Sequence, residues 1–212
     1  VFPMTATAAE SDLDFEETPD LDEVLWQAWL ALELPEGYRA EIIEGFIEVS
    51  PTGRWSHSLV ANRLRRALDR FLADSGYAGY QDANVIHGKK VSIPDVMVAA
   101  EDVVATDPAG LGAAAEAVLL VAEVVPPGYD DRKRDRVRKR RAYARAGVPV
   151  YVVIDDYDGE GHVTVLTTPN PKKATYEAEV RMPYGTPVTI PEGPAKGFVI
   201  DTAITGEPRT AE

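Results

Sequence analysis

Apolar positions along this chain recur at two periods, one near four residues and one of two, and the switches between them mark its elements. Leu21, Leu25, Trp29 and Leu32 follow helical spacing. Thr18-Pro19-Asp20 carries helix-start signals, with Asp20 and Glu23 spaced as a capping box, and Leu34-Pro35-Glu36-Gly37 ends the run. Tyr38 to Ser50 reads as a hairpin turning at Glu44-Gly45. Ser56 to Ser75 predicts a long amphipathic helix. Its stripe is Val60, Leu64, Leu68, Phe71 and Leu72, with Arg63, Arg65, Arg66 and Arg70 mostly outward and Gly76 as the stop.

Tyr77–His87 and Val91–Ala100 read as strands around Gly88-Lys89-Lys90, and Glu101–Ala115 reads as a loop. Ala117–Val125 is apolar on both faces except for Glu123, the pattern of a central strand. Asp130–Ala146 predicts a helix stopped by Gly147, and Val150–Ile154 a buried strand. Gly161–Thr167, Thr175–Met182 and Pro187–Ile190 read as edge strands or hairpin arms. From Ser56 the order is helix, three strands, helix, strand. Short connections favour antiparallel pairing among the three strands, and the crossover helix makes the last pair parallel. The class is α/β with a mixed sheet. Residues 1–18 read as a flexible acidic arm, 19–205 as a single domain and 206–212 as a tail.

Composition narrows the chemistry. The 212 residues hold no cysteine. That removes disulfides, Cys-ligated zinc and a thiol nucleophile, and it is compatible with a reducing cytoplasm, the location expected here. Ala117–Val125 is the longest near-apolar run, far short of the ~20 residues that span a bilayer, and no basic-then-apolar leader opens the chain, so neither membrane insertion nor secretion is expected. The net charge is −13, unevenly placed. Residues 10–23 hold eight acids and no base, whereas Arg132 to Arg145 holds nine bases and one acid, Asp135. The basic run reads either as a solvated helix face or as a local phosphate-facing surface. The acidic arm could also shield it in cis.

Glu123 is the most informative position. A carboxylate inside an apolar central strand costs several kcal/mol (order of magnitude) unless it is paired, hydrogen-bonded or metal-bound. It is either a strand-end acid paired with an Arg of the next helix or part of a site. Asp95 follows Pro94 at a strand start, where proline is tolerated. If the two strands adjoin, Asp95 and Glu123 converge into a hard-oxygen site suited to Mg²⁺ or Mn²⁺. Asp135, Lys139 and Tyr143 lie four apart on the following helix. They form either an ordinary ion-paired face or a means of projecting Lys139 toward the carboxylates, where it orients a water. Glu41 is a candidate third carboxylate, Glu44 is explained by the turn, and Glu48 is expected to face solvent. His57 reads as a helix cap, a packed side chain or a site residue. No phosphate-binding glycine loop or dinucleotide fingerprint is present.

Taken in series, these residues resemble the Uma-type putative restriction endonucleases of the PD-(D/E)XK nuclease superfamily. The matching pieces are Glu41-Ile42-Ile43-Glu44-Gly45, Ser50-Pro51 with His57, Pro94-Asp95-Val96 and Val121-Ala122-Glu123-Val124-Val125. Asp135, Lys139 and Tyr143 follow, then Ala146-Gly147-Val148-Pro149 and Tyr151-Val152-Val153-Ile154-Asp155. The resemblance implies an α-β-β-β-α-β nuclease core, with an extra N-terminal helix and hairpin and C-terminal β additions, and Mg²⁺-dependent hydrolysis of DNA phosphodiesters. It implies Asp95 and Glu123 as metal ligands, Glu41 as the upstream acid, and Lys139 as the catalytic lysine in place of the motif lysine, since Val125 stands two residues after Glu123. Asp135, His57 and Tyr143 support them. Pro126-Pro127-Gly128 replaces the family's common Ser-Pro, and the link to the helix is longer by about two residues. DNA is the expected partner, and a homodimer is compatible with this reading. Two rivals are a nuclease-fold binding or regulatory module without catalysis and a two-carboxylate glycosidase.

Overall fold

The computed structural model describes residues 20–51, 53, 55–103, 110–125 and 133–208. The acidic arm, the Pro126-Pro127-Gly128 link, the start of the basic helix and the end of the tail lie outside the described residues. α1 (Leu21–Leu30) follows Asp20, whose side chain makes no capping bond. The expected capping box is not formed, because Glu23 is engaged elsewhere. It accepts a hydrogen bond from Gln27 and pairs with Lys89, while Asp22 pairs with Lys90. No α1 residue is buried. Trp29 anchors the helix by donating its indole N–H to the Ala40 carbonyl at 2.9 Å.

β1 (Tyr38–Ile43) and β2 (Phe46–Pro51) form the expected hairpin, with Ile43 opposite Phe46. Glu44 and Gly45 turn it with φ of 49° and 82°, the two-residue geometry whose twist suits paired strands. α2 (Trp55–Phe71) is shorter than its pattern suggests. Val60, Leu64, Leu68 and Leu72 are buried, but Phe71 stays 45% exposed.

The two long strands expected at 77–87 and 91–100 are four short ones: β3 (Tyr77–Tyr80), β4 (Val85–His87), β5 (Lys90–Ser92) and β6 (Val96–Ala100). Asp82 takes a positive φ of 54°, and Pro94 has no N–H to give a ladder. These breaks let β4 and β5 leave the main sheet and join the hairpin. With β7 (Ala113–Ala114) they make a five-stranded sheet ordered β2-β1-β5-β4-β7.

A single 3-10 turn (Ala115–Ala117) leads into β8 (Val118–Val124). α3 opens with a π-helical stretch, Arg134–Lys139, and continues as α-helix through Arg140–Ala146. β9 (Val150–Asp155), β10 (His162–Asn170) and β11 (Thr175–Pro183) follow, then β12 (Val188–Thr189), β13 (Val199–Ile200) and α4 (Thr202–Thr205). The main sheet is ordered β11-β10-β9-β8-β6-β3. β3, β6 and β8 pair antiparallel, and β8 and β9 pair parallel across α3. α2, β3, β6, β8, α3 and β9 thus give the α-β-β-β-α-β core. β10 and β11 are the arms of a hairpin, one of the two arrangements expected, with β10 interior and β11 at the edge.

Alternation along the strands divides the core into two layers. Val96, Val98, Leu120, Ala122, Val150 and Val152 pack with Val60, Leu64 and Leu68 of α2. Met97, Val121, Val125, Tyr151 and Val153 pack with Tyr143 and Ala144 of α3. By this alternation Glu123 belongs to the α3 layer. No helix among the described residues is long and apolar enough to cross a membrane.

Candidate active site

Glu123 is delivered to α3 by strand parity, and α3 meets it with two donors. Lys139 Nζ lies 2.9 Å from Glu123 Oε1, and the Tyr143 hydroxyl donates to the same oxygen at 2.8 Å. Lys139 also pairs with Glu41 Oε1 at 3.0 Å and donates to the Ile93 carbonyl at 3.1 Å. Three acceptors therefore use the three N–H bonds of the ammonium. The same Glu41 oxygen accepts the Ile93 N–H at 2.6 Å. Glu41, Glu123, Lys139 and Tyr143 are all at most 1% exposed.

Asp95 stands where the β6–β8 ladder stops, just before Val96, which pairs with Ala122. Its Oδ2 accepts the Val124 N–H at 2.7 Å, so the side chain supplies the acceptor that β6 no longer provides. The same oxygen lies 2.9 Å from His57 Nε2, and Oδ1 lies 3.5 Å from an Arg39 guanidinium nitrogen. Gly53 makes room for this histidine: a Cβ there would fall 2.4 Å from His57 Nδ1. Asp95, His57 and Arg39 line an open cleft of about 360 Å³ that also touches Trp55, Asn62 and Gln81. The site is layered. Arg39 and His57 face the cleft, Asp95 sits behind them, and Glu123, Lys139 and Glu41 are sealed within.

Sequence reasoning missed Arg39. The signal was available, since Arg39 and Glu41 are two apart on β1 and share its face. Its Nε is buried without a partner among the described residues. The stretch carrying Asp135 and Lys139 is π-helical rather than α-helical. The Asp135 carboxylate accepts a hydrogen bond from the adjacent Arg134 Nε at 2.9 Å, and its charge also acts on Lys139. The Asp135 backbone carbonyl accepts the Tyr151 hydroxyl at 2.7 Å.

Among the described residues, most of the basic run is ion-paired rather than bare. Arg141 grips Glu44 with two hydrogen bonds of 2.7 Å, and Arg145 reaches the same carboxylate. Arg138 pairs with Glu48, which therefore does not simply face solvent. Arg136 pairs with Asp155 and Arg140 with Glu179. The acids that neutralise this helix thus come from the hairpin, β9 and β11, and Asp22 and Glu23 of the N-terminal acidic block dock on Lys90 and Lys89 instead.

Four buried acids, Glu41, Asp95, Glu123 and Asp135, face three cations, Arg39, Arg134 and Lys139. Burial pushes the Glu123 carboxyl up, and although Lys139 pulls it down, the charges of Asp95, Asp135 and Glu41 help carry it to about 8. Burial also works against ionised Asp95, but the His57 hydrogen bond and the charges of His57, Lys139 and Arg39 outweigh it and hold that carboxyl well below the usual range. Lys139 goes the other way from a bare buried amine. Burial lowers it, and Glu123, Glu41 and Asp135 more than restore its proton. Among the described residues, no group of three or more His, Asp or Glu side chains converges as a ready cation cage. Asp95 and Glu123 are the two carboxylates that could hold a divalent ion of the kind bound by one or two carboxylates.

A family model described as Uma2, putative restriction endonuclease, matches residues 26–203. A solved structure of a putative nuclease belonging to DUF820 from Anabaena variabilis shares the fold, with a TM-score of 0.58 at 18% identity over 78% of this chain and 88% of that one. No curated protein matches the chain.

Proposed function

The chain belongs to the Uma2 family of putative restriction endonucleases, and we propose that it hydrolyses DNA phosphodiesters with Mg²⁺, or with Mn²⁺ in its place. The observation that carries this reading is Asp95 on the cleft wall, bonded to the Val124 N–H of the adjoining strand, next to Glu123, whose carboxyl feels the Asp95 charge. Asp95 and Glu123 would hold the ion, and Glu41 assists through its shared bond to Lys139. When bound, the ion supplies Lewis-acid polarisation and a more acidic water.

The remaining work falls to side chains. In-line attack forms a bond from water oxygen to phosphorus and breaks the bond to the leaving oxygen. His57, on the cleft wall against Asp95, is suited to accept the proton that the water loses. Arg39, beside Asp95, offsets negative charge developing on the phosphoryl oxygens. Lys139 is sealed in and has all three N–H bonds engaged. It acts as a positioning residue that fixes Glu123 and Glu41, rather than as a contact to the water.

Cleavage of labelled DNA with Mg²⁺, with Mn²⁺ and with EDTA tests the proposal, alongside titration calorimetry of each ion. Cleavage is expected to require the ion, and Asp95→Asn or Glu123→Gln is expected to abolish it while the fold persists. Ion binding unchanged in Asp95→Asn would reject the site. The saturated Lys139 favours one alternative, a nuclease-fold binding module. DNA binding without cleavage in either metal is the result that selects it.

A further inference from the structure

Trp55 is the most exposed of the large apolar side chains described, at 81%, and it stands on the wall of the cleft that holds Asp95 and His57. Leaving an indole in water forgoes the burial that the rest of this core achieves, yet here the ring borders a polar cleft rather than an apolar patch. The amides of Asn62 and Gln81 line the same space. Its volume of about 360 Å³ falls within the range of small-molecule sites and suits one nucleotide.

The adjoining surface of α2 is basic. Arg63, Arg66 and Arg70 are exposed, lie three and four residues apart, and border a groove of about 330 Å³ against α4. Leu59 and Asn62 line both this groove and the cleft, so the two spaces adjoin. The three arginines span about 10 Å of helix. In the larger basic run on α3, Arg136, Arg138, Arg140, Arg141 and Arg145 are already paired with Asp155, Glu48, Glu179 and Glu44. On a chain of net charge −13, the α2 stripe is thus a cationic track that leads to the candidate site.

We infer that the substrate is an unpaired DNA strand, with a base stacked on Trp55 beside Asp95 and its phosphates following Arg63, Arg66 and Arg70. This rests on the nuclease reading above and deepens it. An aromatic platform beside a basic groove is the arrangement that recognises single strands, because every base presents a face for stacking. A duplex keeps its bases stacked on one another, so its bases cannot use Trp55. The overall acidity also opposes the many phosphate contacts on which duplex affinity depends.

Fluorescence anisotropy with labelled oligothymidylate and a blunt duplex of equal length, in EDTA, tests the inference on the full chain. The single strand is expected to bind more tightly. Trp55→Ala is expected to weaken it by about 10-fold or more, with Trp55→Phe largely restoring affinity. Replacing Arg63, Arg66 and Arg70 together by Gln is expected to flatten the dependence of log K on log salt by about 2. Equal or tighter duplex binding, or single-strand affinity unmoved by Trp55→Ala, overturns the inference. A Mg²⁺-dependent cleavage assay on both substrates separates the two readings. Cleavage that Trp55→Ala leaves intact overturns the stacking role alone. Trp55-dependent strand binding without cleavage upholds the stacking role and overturns hydrolysis.

Discussion

Lys139 and Glu123 meet at 2.9 Å where their side chains are 0% and 2% exposed, and Glu41 closes on the same ammonium at 3.0 Å. One cation from α3 therefore ties together β1 of the smaller sheet and β8 of the main sheet. The network that organises the candidate site is also a structural joint, so substitutions in it are expected to affect stability as well as chemistry.

Lys139→Met removes the only formal positive charge in direct contact with Glu123 among the described residues and leaves two carboxylates buried. Breaking a buried pair from one side costs about 3–5 kcal/mol. Urea unfolding should show a loss of that size, and pairing the change with Glu123→Gln should recover part of it. A loss below about 1 kcal/mol, the scale of a surface pair, would show that the network is hydrated in solution.

The Glu123 carboxyl sits at about 8, above its ordinary 4.5, because burial disfavours its charge. The folded state therefore holds this proton more tightly than the unfolded chain does. Its contribution to stability is full below about pH 4.5 and is lost as pH rises through about 8. Asp95 has the opposite sign. Its carboxyl is depressed, so its contribution is present above its ordinary 3.8 and is lost as pH falls toward its folded value. Thermal unfolding of the metal-free protein should show a midpoint that falls from about pH 5 to about pH 8.5. Glu123→Gln should flatten that decline, and a decline of equal steepness in the variant would assign it to other groups.

Gly53→Ala places a methyl group 2.4 Å from the His57 ring atom that the backbone now approaches. Either the ring or the backbone must move, and the 2.9 Å contact to Asp95 goes with it. Cleavage is expected to fall about 100-fold, the low end of the range for losing a general base, with little change in the unfolding midpoint. Wild-type activity in this variant would remove His57 from the mechanism.

Arg141→Ala should leave oligonucleotide affinity within about twofold, because that guanidinium is bound to Glu44 by two hydrogen bonds and its removal changes a half-exposed pair of small energetic weight. A large loss of affinity would mean that α3, rather than α2, meets the backbone of the nucleic acid.

Much of this protein was legible in one dimension. The period-two and near-four patterns placed the hairpin, α2, β8, α3 and β9, because burial of one face is written residue by residue. A carboxylate in the run Leu119–Val125 marked Glu123 as needing a partner, since an apolar strand offers none. The Asp95, Glu41, Lys139 and Tyr143 positions were each identifiable, and the structure joins Glu41, Lys139 and Tyr143 to Glu123 in one network, with Asp95 beside it on the adjoining strand, bonded to His57 and the Val124 N–H. Their catalytic roles are a matter for the experiments above.

Tertiary structure decided what contacts what. The breaks at Asp82 and Pro94 split two expected strands and made a second sheet, which brings Arg39 of β1 to Asp95 at the start of β6 and Glu41 to Lys139 of α3. The π turn altered the spacing of Asp135 and Lys139, and the Asp135 carboxylate took a hydrogen bond from the adjacent Arg134. The basic run looked available until its acids arrived from segments up to about a hundred residues away, as Arg145 and Glu44 do. Local sequence fixes periodicity and the demand for a partner, because both depend on neighbours along the chain. Which partner answers that demand depends on how separate sheets and helices pack, and that is a property of the folded whole.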